Sequence, residues 1–140
     1  IDPKLWGRPA WDFLFYVALS YPDIPSNEEK YNMMQFLKNI GKVLPCITCR
    51  INYNDNMRKY PVDNRVVRSR YDLINWLLSI HNEIRISQGK SIASYESIIE
   101  KYTTKNEYCF SINCSMKMLL TIFVIVLLII LLILLKVRNM

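Results

Sequence analysis

Leu73-Ile74-Asn75-Trp76-Leu77-Leu78-Ser79-Ile80-His81-Asn82-Glu83-Ile84 decides the fold class. Leu73, Trp76, Leu77, Ile80 and Ile84 recur at i, i+3, i+4, i+7 and i+11, which is one face of a helix. The spacing predicts a helix that Gly89 ends, with a charged loop over residues 61–71 before it and a short helix after Ser94 carrying Ile98 and Ile99 inward. Toward the amino end, Asp2 caps a first helix with Pro3 at its first position. Trp6, Ala10, Phe13, Leu14, Val17 and Ala18 keep helical spacing there, and Tyr21-Pro22-Asp23-Ile24-Pro25 stops it. Ser26 and Glu29 form a capping box opening a second helix with Met33, Met34, Leu37 and Ile40, which Gly41 is expected to interrupt near its end. Pro45 introduces a third, to about Tyr60 before Pro61. No useful period-2 pattern and no repeat is present, so the expectation is an all-α bundle of four or five helices.

The end of the chain differs. Leu119 to Leu135 reads LLTIFVIVLLIILLILL, apolar but for Thr121, with Lys117 before it and Lys136 and Arg138 after it. With Met118 the run reaches the roughly 18 residues that span a bilayer core. The other reading, a buried core helix, fails because a domain of roughly 115 residues cannot enclose a helix apolar on every side. The organisation expected is a soluble domain over 1–105, a juxtamembrane linker over 106–117, a single-pass transmembrane helix over 118–135 and a short basic tail over 136–140.

The net charge of +6 falls to +4 once Lys136 and Arg138 are set aside. Arg65, Arg68 and Arg70 cluster, but no basic stripe with interleaved aromatics accompanies them. They read as a solvated loop, and no nucleic-acid partner is expected.

Four cysteines fall in two close pairs, Cys46/Cys49 and Cys109/Cys114. Such pairs suggest redox chemistry or a metal rather than a stapled secreted module. Cys46-Ile47-Thr48-Cys49 begins a helix, where free N–H groups and the helix dipole stabilise a thiolate. A haem-attachment motif would need His where Arg50 stands, and a thioredoxin-like fold would need strands. Zinc needs four ligands, which both pairs together could supply. A helical thiol enzyme instead needs a cofactor to take electrons, since cysteines alone only exchange disulfides. A non-enzymatic membrane adaptor with structural or zinc-bound cysteines is the competing class. His81, the only histidine, cannot make a metal site alone. Trp6 and Trp11 read either as core aromatics or as ring contacts, and Gly7 costs a helix about 1 kcal/mol unless something approaches closely there.

Five pieces in order resemble the Erv/ALR sulfhydryl oxidase family over Trp6 to Tyr102. They are Trp6-Gly7-Arg8-Pro9-Ala10-Trp11, Tyr21-Pro22-Asp23-Ile24-Pro25-Ser26, Gln35-Phe36-Leu37, Pro45-Cys46-Ile47-Thr48-Cys49, and Trp76 with His81-Asn82-Glu83-Ile84 through Gly89-Lys90. The resemblance implies an FAD-dependent thiol oxidase that forms disulfides in protein substrates and reduces O2 to H2O2. It implies Cys46 as the outer, attacked sulfur and Cys49 as the flavin-side sulfur. Gly7, Arg8, Trp11, Phe15, His81, Asn82, Ile84, Arg85 and Lys90 occupy the family's FAD-binding places, and no metal is implied. Cys109 and Cys114 resemble a shuttle disulfide, and the family implies a homodimer.

The departures are Phe15 where the family usually has His and Arg85 where it has a second Asn. Leu78 and Tyr95 stand where a structural disulfide would fall. That pared-down pattern is similar to virus-encoded members, of poxvirus and African swine fever virus type. The five residues after the apolar run carry the expectation of insertion as a tail anchor with the catalytic domain facing the cytosol, and the virus-type pattern that of a virion or host cytoplasmic membrane.

Overall fold

A computed structural model describes residues 1–103 together with Ile122, Phe123 and Ile125. The chain divides into two compact units, Ile1–Ile99 and Glu100–Met140. Among the described residues there are five α-helices and no strand: α1 (Pro3–Ser20), α2 (Asn27–Val43), α3 (Ile47–Lys59), α4 (Arg70–Ser87) and α5 (Tyr95–Thr103). The expected all-α class and helix count hold. Ile122, Phe123 and Ile125 are helical and exposed. No helix among the described residues is long and apolar enough to cross a membrane. The expected span over 118–135, like Cys109 and Cys114, otherwise lies outside the described residues.

Local chemistry sets the helix ends. Lys4 N–H donates to Asp2 Oδ1 at 2.9 Å, with Pro3 in the first turn. Tyr21 is extended and leads into Pro22. The capping box closes both ways: Glu29 N–H donates to Ser26 Oγ at 3.2 Å, and Ser26 N–H donates to Glu29 Oε2 at 2.7 Å. Asp72 N–H donates to Ser69 Oγ at 3.1 Å at the start of α4. Gly89, with φ +68°, reverses the chain after α4, a conformation open to glycine.

In the first unit α1 packs against α4, α2 against α3, and α3 against α4. The α4 helix buries more than one stripe: Ile74 and Leu78 are buried along with Leu73, Trp76, Leu77 and Ile80, while Ile84 is half-buried. It is therefore the central helix of this unit. Gly41 does not interrupt α2, which continues to Val43. Its α-carbon faces α3 so closely that a methyl group there would lie 2.7 Å from the Tyr53 ring. The missing side chain lets α3 seat on α2, where the Tyr53 hydroxyl donates to the Leu37 carbonyl at 2.8 Å.

The corner after α1 is tied down twice. The Tyr21 hydroxyl donates to Val67 O at 3.0 Å, and Arg70 Nε donates to Tyr21 O at 2.7 Å. Each arginine of the 65–70 cluster meets a carboxylate: Arg65 with Asp63, Arg68 with Asp72, and Arg70 with Asp23. The cluster is a locally neutralised loop, as its solvated reading requires.

Candidate active site

Leu44 ends α2, Pro45 turns the chain, and Cys46 caps α3 in an extended conformation. Cys49 N–H donates to Cys46 Sγ at 3.2 Å, so sulfur takes the place of the oxygen usual at a helix cap. The Cys46 thiol is held below the ordinary thiol range by the Cys49 side chain and by the Cys49 and Thr48 N–H groups. Burial pushes the Cys49 thiol up to about 11, and its bond to Cys46 adds to that. The two half-buried sulfurs are thus unequal: Cys46 gives up its proton more readily than an ordinary thiol, and Cys49 holds its proton more tightly. Arg50 closes the turn from behind, its Nε donating to Leu44 O at 2.5 Å and its N–H to Cys46 O at 3.0 Å.

A second group gathers where α1 crosses α4. The Trp11 and His81 rings meet edge-on with centroids 4.8 Å apart, and Phe15 meets His81 at 5.4 Å. Phe15 has no accessible surface, so it supports His81 and Trp11 from behind. One turn before Trp11, a methyl group on Gly7 would touch nothing within 4 Å. The neighbouring Trp6 buries its indole N–H without a hydrogen-bond partner among the described residues. A buried donor in that state calls for an acceptor beyond the described residues.

Successive residues of α4 then reach different partners. Asn82 Nδ2 donates to Ala93 O at 2.9 Å and its Oδ1 accepts from Ala93 N–H at 2.8 Å. Arg85 Nε donates to Ser91 O at 2.5 Å, and Lys90 Nζ donates to Gln88 Oε1 at 2.7 Å. Asn82 and Arg85 therefore shape the 88–93 loop, on which Lys90 is exposed. Arg8 is exposed on α1, and Ile84 is half-buried on α4.

The structure thus joins Trp11, Phe15 and His81 in one cluster, Asn82, Arg85 and Lys90 around one loop, and Cys46 with Cys49 at one helix start. It also contains contacts without a local sequence signal. Glu83 accepts from Lys59 Nζ at 2.6 Å and from the Tyr60 hydroxyl at 2.7 Å. Trp76 Nε1 donates to Tyr60 O at 3.0 Å, so α4 fixes the far end of the thiol helix. No group of three or more metal-ligating side chains is present among the described residues.

The Erv1/Alr family model matches residues 8–104. The chain belongs to the Erv1/Alr family. This family member is 40% identical over 100 residues to a probable FAD-linked sulfhydryl oxidase of Acanthamoeba polyphaga mimivirus, covering 71% of this chain and 70% of that one. A putative FAD-linked sulfhydryl oxidase of Invertebrate iridescent virus 3 is 33% identical over 102 residues, covering 73% and 68%. The crystal structure of the FAD-binding domain of Erv1 from Saccharomyces cerevisiae superposes with a TM-score of 0.67 at 27% identity, covering 73% of this chain and 94% of that one.

Proposed function

We propose that the chain is an FAD-dependent thiol oxidase that makes disulfides in protein substrates at Cys46 and Cys49 and passes the electrons to O2, releasing H2O2. The placement of the pair carries this reading: Cys46 caps α3 and Cys49 lies in its first turn, with the Cys49 N–H donating to Cys46 Sγ at 3.2 Å, so two close sulfurs at a helix start can close and reopen a disulfide. In the oxidised pair, a client thiolate attacks Cys46, which is flanked by exposed Pro45 and Ile47. The Cys46–Cys49 bond breaks as a mixed disulfide forms, and Cys49 takes up a proton. The second client thiolate then displaces Cys46, leaving the client as disulfide and the pair holding two electrons and two protons.

Bound FAD would supply the two-electron sink that cysteines lack, with O2 as the final acceptor. The residues fit such a group. Trp11 and His81 offer ring surfaces, Trp6 an unused buried donor, Gly7 room for close approach, and Arg8 and Lys90 positive charge for a diphosphate. Asn82 and Arg85 hold the loop that presents Lys90.

The test is oxygen uptake with dithiothreitol by Cys46→Ser and Cys49→Ser, each checked for bound flavin by visible absorbance. Both should lose at least about 100-fold in rate, the scale on which removal of a covalent nucleophile acts. Wild-type turnover in either would contradict the assignment.

Three further parts of the reading rest on sequence or surface character. The apolar run over 118–135 is read as a membrane anchor that leaves the thiol domain in the cytosol, which protease protection of that domain in intact membranes would refute. Cys109 and Cys114 are read as a shuttle pair that raises its own effective concentration at Cys46. Replacing both by Ser should slow a protein substrate and spare dithiothreitol, and equal rates on both would leave the pair structural. Exposed Phe13 and Tyr16 on α1, with Phe13 meeting Phe36 of α2 at 6.3 Å, support a homodimer through these helices. An unchanged sedimenting mass in Phe13→Glu would refute that.

A further inference from the structure

The surroundings of the thiol pair have a chemical character of their own. Ile47, between the two cysteines, is 75% exposed, and Ile51, one turn on along the same face of α3, is 55% exposed. Val43, the last residue of α2 and three before Cys46, is 72% exposed. Three exposed aliphatic side chains thus lie on the stretch of chain that carries the thiol pair. Charge in the same stretch has one sign. From Lys38 to Asn54 the chain carries Lys38, Lys42 and Arg50 and no carboxylate. Lys42 bonds to Asn39 and Arg50 to the Leu44 carbonyl, both neutral oxygens, so neither bond cancels a cation. The arginines of the 65–70 loop, by contrast, each meet an aspartate.

We propose that this aliphatic, cationic rim selects client cysteines lying in extended chain segments that carry exposed aliphatic residues together with Asp or Glu. The inference rests on the thiol-oxidase reading and narrows its substrate class. Folding buries most aliphatic residues, so segments that offer cysteines together with several aliphatics are more frequent in chains that have not yet folded. The acidic flank supplies the complement to Lys42 and Arg50 and steers the encounter. In the step itself the client loses two electrons and two protons as its two thiols become one disulfide. The Cys46–Cys49 disulfide gains them and becomes two thiols.

The test uses the full chain loaded with FAD and three synthetic peptides with one identical cysteine pair. One is flanked by Leu and Glu, one by Leu and Lys, and one by Ser and Glu. Oxygen uptake gives kcat/KM for each, with dithiothreitol in parallel. The Leu and Glu peptide should exceed each of the others by about 10-fold at low salt. Its margin over the Leu and Lys peptide should shrink as salt is raised, because exposed charges are screened. Lys42→Glu should move the preference toward the Leu and Lys peptide. Ile47→Ser with Ile51→Ser should close the gap between the Leu and Ser peptides. Ile24→Ser, at an aliphatic side chain 93% exposed in the corner after α1, should change neither preference.

Equal kcat/KM on all three peptides while dithiothreitol is oxidised would overturn this inference and leave the oxidase reading standing. Absence of dithiothreitol oxidation would remove the oxidase reading, and this inference with it. A lower sedimenting mass in the Ile47→Ser, Ile51→Ser chain with its peptide preference intact would make the patch a contact between copies, and would also overturn the proposal.

Discussion

Replacing Gly41 with Ala puts opposing effects on one atom. A glycine inside a helix is ordinarily improved by Ala, by about 1 kcal/mol. Here the added methyl would lie 2.7 Å from the Tyr53 ring and 2.6 Å from Asn54 Oδ1. The exposed Asn54 side chain can swing aside, but Tyr53 is 5% exposed and anchored through its hydroxyl to Leu37 O at 2.8 Å. Restoring normal carbon contact requires the ring to retreat by about 1 Å. Overpacking of that kind costs about 1 to 3 kcal/mol, and losing the buried hydrogen bond about 1 more. Against the propensity gain, Gly41→Ala should destabilise the chain by about 1 to 3 kcal/mol. Urea unfolding followed by circular dichroism should show the midpoint falling by about 1 M. In a Tyr53→Ala background the same change should lose most of its cost, since the clashing ring is gone. A Gly41→Ala chain more stable than wild type by about 1 kcal/mol would refute the close seating of α3 on α2.

Gly7→Ala should act in the opposite sense. With nothing within 4 Å of the new methyl, the flavin-free chain should gain about 0.5 to 1 kcal/mol while FAD retention on dialysis weakens; a destabilised flavin-free chain would contradict that. The reduced thiols should alkylate unequally. The Cys46 rate should rise as pH passes its lowered pKa and level off before Cys49 titrates near about 11, so mass spectrometry at neutral pH should find a single adduct at Cys46. Equal labelling would contradict the cap geometry.

What could be read from the sequence follows from how local each signal is. The Asp2 cap, the Ser26–Glu29 box and the turn at Gly89 depend on residues within four positions of each other, and all three stand in the structure. The placement of Cys46 at a helix start was equally local, because Pro45 and the Cys-x-x-Cys spacing declare it. Gly41 misled because its local meaning, a weak point in a helix, yields to Tyr53 twelve residues away. The single face read from Leu73 to Ile84 was too narrow, since a central helix buries several faces and periodicity marks only the strongest. Glu83 gave no sign of bonding Lys59 and Tyr60, and Asn82 none of bonding Ala93, because partners that distant in sequence meet only once the helices pack.

The most direct test of the central claim is bound flavin and oxygen chemistry measured together on one sample of the purified full chain. FAD released on denaturation should approach one per chain, and dithiothreitol oxidation should consume O2 and form H2O2 in equal amounts. A colourless chain that releases no FAD even after incubation with it, and consumes no oxygen with dithiothreitol, would contradict the account.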